Sequence, residues 1–250
     1  MSGHSKWSSI KHKKAATDAK RGQLFTKLAR EVSMAAREGG GDADMNSRLR
    51  LAVQRAKDNN MPNANIDRAI QRGTGGSGGD ALAEVTYEGY GPGGTAVLVE
   101  AVTDNRNRTV AEVRNAFTNG GGNMADAGAV AWQFEMRGVI TIDASTTDID
   151  EVQLAAIEAG ALDVSADDEQ VEVITERESL ELVRRALDES GIDVGQAELA
   201  QLPKTTLELD ASAALKTLRL LEKLDELDDV ARVFSNADFP EEALEALAAS

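Results

Sequence analysis

Lys6, Lys11, Lys13, Lys14, Lys20 and Arg21 crowd the first 21 residues, with His4, Trp7 and His12 set among them. Lysines and arginines in such a run can neutralise phosphates by releasing counterions, without reading any base, so binding would weaken with salt and select sequence poorly. Trp7 can stack on an unpaired base or anchor the segment on a folded neighbour. His4 and His12 stand eight apart with neither cysteine nor carboxylate at ligand spacing, so a metal site would lack its other ligands. Contact with phosphate, or simple exposure, remains open to them. Lys27 extends the same positive set.

A second group centres on Arg106 and Arg108, which flank the start of a helix. Free N–H groups and the helix dipole favour an anion there, and Arg114 can join them. The alternative is that these arginines pair with acidic side chains of a neighbouring domain. Gly120-Gly-Gly-Asn123 is open in the same way: backbone amides for a phosphate, or a helix stop. Gly89-Tyr-Gly-Pro-Gly-Gly94 satisfies G-x-G-x-x-G formally, but a strand-like run, Thr95–Val102, follows where a dinucleotide site needs a helix. It reads as a hairpin turn. No nucleophile with its base and no paired carboxylates in a defined context are found, so the expectation is no enzyme, no cofactor, no metal and no small-molecule substrate.

The charge is segregated. Residues 1–72 carry 15 Lys+Arg against seven Asp+Glu, and residues 73–250 carry 12 against 36, within a chain of net charge −16. An acidic body repels nucleic acid, so a polyanion must be met locally by the basic end. The chain has no cysteine, which excludes disulfides, thiolate metal sites and a cysteine nucleophile. No apolar run approaches the length of a membrane span and no secretory signal follows the basic start, so a cytoplasmic protein with no membrane partner is expected.

The elements that must position these residues follow from periodicity. Leu24, Leu28, Val32 and Ala35 predict a helix over 17–38, with Lys20, Lys27, Arg30 and Arg37 gathered opposite. Asp44 is the expected cap of a second helix through Leu49, Ala52, Val53 and Ala56. Asn65 is the expected cap of a third, with Ile66, Ala69 and Ile70 inward and Gly73 as its stop. Gly73–Gly79 reads as a flexible hinge. Two strands, Val85–Glu88 and Thr95–Val102, lead to a helix with the capping box Thr109-Val-Ala-Glu112. Val130, Trp132, Phe134 and Met136 alternate as a half-buried strand does.

From Val139 the order is βαββαβ, with a capping box Thr175-Glu-Arg-Glu178, which matches a ferredoxin-like motif. The strand Thr206–Leu209, helix Ala213–Leu224 and strand Asp229–Phe234 cannot bury their faces alone and are expected to complete the sheet begun at Val85. The fold class is thus α+β with three domains. A basic helical domain with its hinge occupies 1–78, an α/β middle domain occupies 79–129 and 204–239, and a ferredoxin-like insertion occupies 130–203. No helix shows Arg, Asn and Gln at consecutive major-groove positions, and no dimerisation signal is evident.

Gly3-His-Ser-Lys-Trp7, Lys11-His-Lys-Lys14, Gly22-Gln-Leu-Phe25, Tyr87-Glu-Gly-Tyr-Gly-Pro-Gly-Gly94, Asp104-Asn-Arg-Asn-Arg-Thr109, Gly120-Gly-Gly-Asn123 and Asp228-Asp-Val230, taken in order, resemble the YebC family, which includes the mitochondrial translational activator of cytochrome oxidase. The resemblance runs from Met1 to about Asp238. It implies three domains and a cytoplasmic role in gene expression. Members are described as DNA-binding transcriptional regulators, and others resemble ribosome-associated translation factors that bind ribosomal RNA or tRNA and relieve stalling at proline-rich sequences. DNA-binding regulation of transcription therefore leads, translation regulation at the ribosome is its alternative, and a basic end that binds an acidic protein is a third possibility.

Overall fold

The computed structural model describes residues 18–75 and 82–248. Three helices come first: α1 (Asp18–Gly39), α2 (Ser47–Asp58) and α3 (Asn63–Thr74). Their apolar stripes meet in one core of Leu28, Val32, Ala35, Leu49, Ala56, Ile66 and Ala69, as the helical spacing requires. The cap of α2 is Asn46, not Asp44. Asn46 accepts from the Leu49 N–H at 3.0 Å and donates to the carbonyls of Ala35 and Gly40, both at 2.8 Å, so one buried side chain ties the α1–α2 corner.

The third helix also departs from expectation at both ends. It starts two residues before Asn65, after Pro62, whose φ of −58 already suits a helix. It runs through Gly73 to Thr74. A Cβ on Gly73 would strike the Ser33 carbonyl oxygen and the Ala36 methyl group of α1, so this glycine permits two helices to cross closely rather than ending one.

Next along the chain comes a four-stranded sheet in the order β3-β1-β2-β9, built from β1 (Ala83–Tyr90), β2 (Ala96–Thr103), β3 (Asn123–Ala125) and β9 (Val230–Ser235). Tyr90 pairs with Ala96 across the Gly91–Thr95 turn, a hairpin as its sequence indicates. Two helices, α4 (Arg106–Asn119) and α7 (Ala211–Asp225), lay Val113, Phe117, Leu218, Leu221 and Leu224 on Val97, Val99, Val230 and Val233. The expected capping box at Thr109 is absent: Asn105 caps α4 by accepting from the Arg108 N–H at 3.1 Å, and Thr109 is buried in the first turn. The segment near Thr206 contributes only β8 (Leu207–Glu208), which pairs in parallel with β10 (Ala237–Asp238) and not with the four-stranded sheet. A short terminal helix, α8 (Glu241–Ala248), follows.

Glu135–Leu202 form a compact unit of their own, and residues 18–134 with 203–248 form the other. The former holds most of β4 (Phe134–Asp143), then α5 (Ile149–Glu158), β5 (Asp163–Ala166), β6 (Gln170–Thr175), α6 (Leu180–Glu189) and β7 (Val194–Pro203). The strand order β5-β6-β4-β7 is that of a ferredoxin-like sheet. Ile140, Ile142, Val171 and Val173 of the strands and Val152, Ala156, Val183 and Leu187 of the two helices are its buried residues. Thr175 does not cap α6. Its hydroxyl donates to the Glu176 carbonyl at 2.9 Å, and a 3₁₀ turn over Arg177–Ser179 precedes the helix.

The alternation through Val130 and Trp132 does not become a strand. Ala131–Gln133 form a 3₁₀ turn, Trp132 is 67% exposed, and β4 begins only at Phe134. The cause is distant in sequence. The carboxylate of Glu88 on β1 accepts from the N–H groups of Gly128 and Val130, both at 2.6 Å, and Ala131 at 2.8 Å, gathering that backbone into a turn. Burial pushes the Glu88 carboxyl up, but these three donors outweigh it and hold it below the ordinary range.

Candidate nucleic-acid interface

The segment holding His4, Lys6, Trp7, Lys11, His12, Lys13 and Lys14 lies outside the described residues. Lys20 and Arg21 fall on the first turns of α1, and Arg21 is exposed. Lys27 is different: it is buried and its ammonium donates to the Asp225 carbonyl at the last turn of α7. A cation at a helix C-terminus meets the negative end of the dipole, so Lys27 serves to join two elements and is not presented to a phosphate.

Its neighbours on α1 do the same. Gln23 donates to the Glu226 carbonyl at 2.5 Å and to Asp228 at 3.1 Å. Arg30 donates to the Asp228 carbonyl at 2.6 Å and to the Asp229 carboxylate at 2.9 Å. Residues 23, 27 and 30 share a helix face by spacing, so this positive face of α1 is occupied by the acidic turn Asp225–Asp229. Beside it, Glu31 of α1 accepts from Arg55 of α2 at 2.7 Å and from Arg232 of β9 at 3.4 Å. Burial raises the Glu31 carboxyl, and the two arginines more than reverse that, leaving it lowered.

Asp229 also answers the question posed by Arg108. Its second oxygen accepts from Arg108 Nη2 at 2.5 Å, Thr109 Oγ1 at 2.7 Å and Thr103 Oγ1 at 3.0 Å. The place beside the first turn of α4, open to a phosphate or to an ion pair from the sequence, therefore holds a carboxylate at Arg108, one of the same unit and not of a neighbouring domain. Burial acts to raise the Asp229 carboxyl, but Arg108 and the two threonines keep it lowered. Arg106, two residues away, is exposed, as is Arg114 on the same helix. The loop Gly120–Asn123 packs against the hairpin: a Cβ on Gly122 would collide with the Tyr90 carbonyl.

Other cations are turned outward, and three were missed from the sequence. Lys57 on α2 and Arg68 and Arg72 on α3 are exposed, and Arg68 and Arg72 are separated by one helical turn. The signal was present as the complement of Ile66, Ala69 and Ile70: whatever lies opposite a buried stripe faces water. Among the described residues, no three His, Cys, Asp or Glu side chains are grouped so as to hold a metal ion, and no helix is long and apolar enough to cross a membrane.

Both the helical module and the remainder of the chain match known families. Residues 5–76 match the model described as "TACO1/YebC protein N-terminal domain", and residues 82–237 match "TACO1/YebC second and third domain". The chain belongs to the TACO1/YebC family. Family relatives include a "Probable transcriptional regulatory protein" of Dehalococcoides mccartyi strain BAV1, 52% identical over 245 residues and covering 98% of both chains. One from Chloroflexus aurantiacus strain J-10-fl, with the same name, is 54% identical over 245 residues, 97% of both. A solved member, "Conserved Hypothetical Protein Aq1575" of Aquifex aeolicus, superposes with a TM-score of 0.84 at 45% identity, covering 90% of this chain and 93% of that one.

Proposed function

We propose that this chain is a non-enzymatic, DNA-binding regulator of transcription that acts in the cytoplasm and meets nucleic acid through residues 1–78. The carrying observation is the charge division: 15 Lys+Arg against seven Asp+Glu in residues 1–72 and 12 against 36 in the rest. After Lys27, Arg30 and Arg55 are committed to internal partners, Arg21, Lys57, Arg68 and Arg72 still face solvent. The names of the family relatives favour the same reading. Three domains with boundaries at 1–78, 79–129 with 204–239, and 130–203 belong to the proposal, as do Lys6, Lys11, Lys13, Lys14, Lys20 and Arg21 as phosphate contacts.

A second reading, a ribosome-associated translation factor, is favoured by one feature: cations strung along a segment with little periodic pattern suit folded RNA, which is recognised by backbone and shape. Sedimentation of a lysate through a sucrose gradient at low salt, with and without DNase, separates the two. A heavy fraction lost on DNase treatment supports DNA binding. Co-sedimentation with large ribosomal subunits that survives DNase and falls with salt replaces it with the ribosomal role.

A further inference from the structure

The second and third helices are joined by a short turn that the sequence did not announce. α2 and α3 are joined by the four residues Asn59–Pro62, in which Asn60 adopts a left-handed φ of 57 and Met61 is buried in the bundle core. A turn of three to four residues also joins the two helices of DNA-binding helix-turn-helix units, whose second helix enters the major groove. Here α3 presents Ala64, Arg68 and Gln71 to solvent at spacings of four and three, with Asn63 and Arg72 exposed alongside. In the major groove an arginine forms paired hydrogen bonds with guanine, a glutamine does so with adenine, and an alanine methyl packs on the methyl group of thymine.

We propose that α3 is a base-reading helix for duplex DNA, with Ala64, Arg68 and Gln71 directed at base edges and Lys57 and Arg72 at the flanking phosphates. This rests on the DNA-binding reading above. The dimensions agree. The seven steps from Ala64 to Gln71 rise about 10 Å along the axis. That spans about three base steps at roughly 3.4 Å each. Charge agrees as well, because Lys57, Arg68 and Arg72 are accompanied on the exposed side of α3 only by Asp67 among acidic residues of that helix. B-form DNA suits the row because its major groove admits a helix, whereas the deep, narrow groove of A-form RNA does not.

The test is selection from a randomised duplex pool by the full chain and by Arg68→Ala, Gln71→Ala and Arg72→Ala. The substituted positions are exposed, and an unchanged urea midpoint checks that each variant folds. The expected result is an enriched motif of about three base pairs per site for the parent chain, in keeping with the span of the row. Arg68→Ala then weakens that motif about tenfold or more and relaxes preference at one guanine, and Gln71→Ala relaxes preference at one adenine. Arg72→Ala weakens every sequence alike and lowers the salt slope by about one. Duplex binding with no enriched motif, or with a motif unaltered in the Arg68 and Gln71 variants, overturns the role of α3 and leaves DNA binding standing. No duplex retained from the pool by the folded parent chain overturns both.

Discussion

Replacing Asp229 by asparagine isolates the junction between α1, α4 and β9. One carboxylate oxygen accepts from Arg30 at 2.9 Å, and the other accepts from Arg108, Thr109 and Thr103 at 2.5, 2.7 and 3.0 Å. An amide offers one oxygen only, and its N–H₂ must then face donors. The less costly flip keeps the oxygen toward Thr103, Thr109 and Arg108 and sets the amide N–H₂ against the Arg30 guanidinium. Hydrogen bonds to a charged partner contribute roughly 1.5–3 kcal/mol when buried. The arginine side chains are 24% and 43% exposed and can rehydrate, so each lost ion pair is discounted to about 1 kcal/mol. Thr103 and Thr109 keep their acceptor in that flip, so neither adds to the loss. The sum is about 2 kcal/mol, to be read as a lowered urea midpoint at constant m by far-UV circular dichroism. Combined with Arg30→Ala, the cycle should return a coupling of about 1 kcal/mol. A loss below about 0.5 kcal/mol, or additivity of the two changes, would refute the reasoning that this buried carboxylate joins the elements.

Further expectations follow from other contacts. Gly73→Ala should destabilise, although alanine favours a helix by about 1 kcal/mol, because its methyl group meets the Ser33 carbonyl; a raised melting temperature would remove the close-approach argument. Glu31, Glu88 and Asp229 all titrate below their ordinary values in the folded chain. Their contribution is complete above the unfolded carboxylate range near 4 and is lost as pH falls through the lower folded values, so urea midpoints should drop steeply below about pH 4. Glu88→Gln should flatten part of that dependence and cost about 1–2 kcal/mol, since an amide cannot accept from Gly128 and from Val130 and Ala131 together. Lys11→Glu with Lys13→Glu and Lys14→Glu should abolish nucleic-acid binding in an anisotropy titration; undiminished binding removes those lysines from the interface. Residues 130–203 expressed alone should unfold cooperatively, and a fragment without a transition would withdraw those domain boundaries.

Periodicity was sufficient for the cores of the elements. Leu28, Val32 and Ala35 on α1, or Leu49 and Ala56 on α2, bury their side chains because a helix repeats its face every three to four residues, whatever surrounds it. The βαββαβ order likewise implied the strand order of the ferredoxin-like unit, since few topologies bury both helices on one sheet. Charge segregation was wholly sequential, being a count along the chain.

What the tertiary structure decided were the ends of elements and the partners of charges. Asn46 rather than Asp44 caps α2 because it also reaches the Ala35 and Gly40 carbonyls, and the turn at Ala131 exists because Glu88, more than forty positions away, needs donors. Arg108 and Arg106 look alike in sequence, yet Asp229 pairs with the first and leaves the second exposed. A local pattern fixes which way a side chain points relative to its own backbone. Whether an opposite charge or water waits there depends on contacts more than 100 residues apart, and only the assembled fold specifies them.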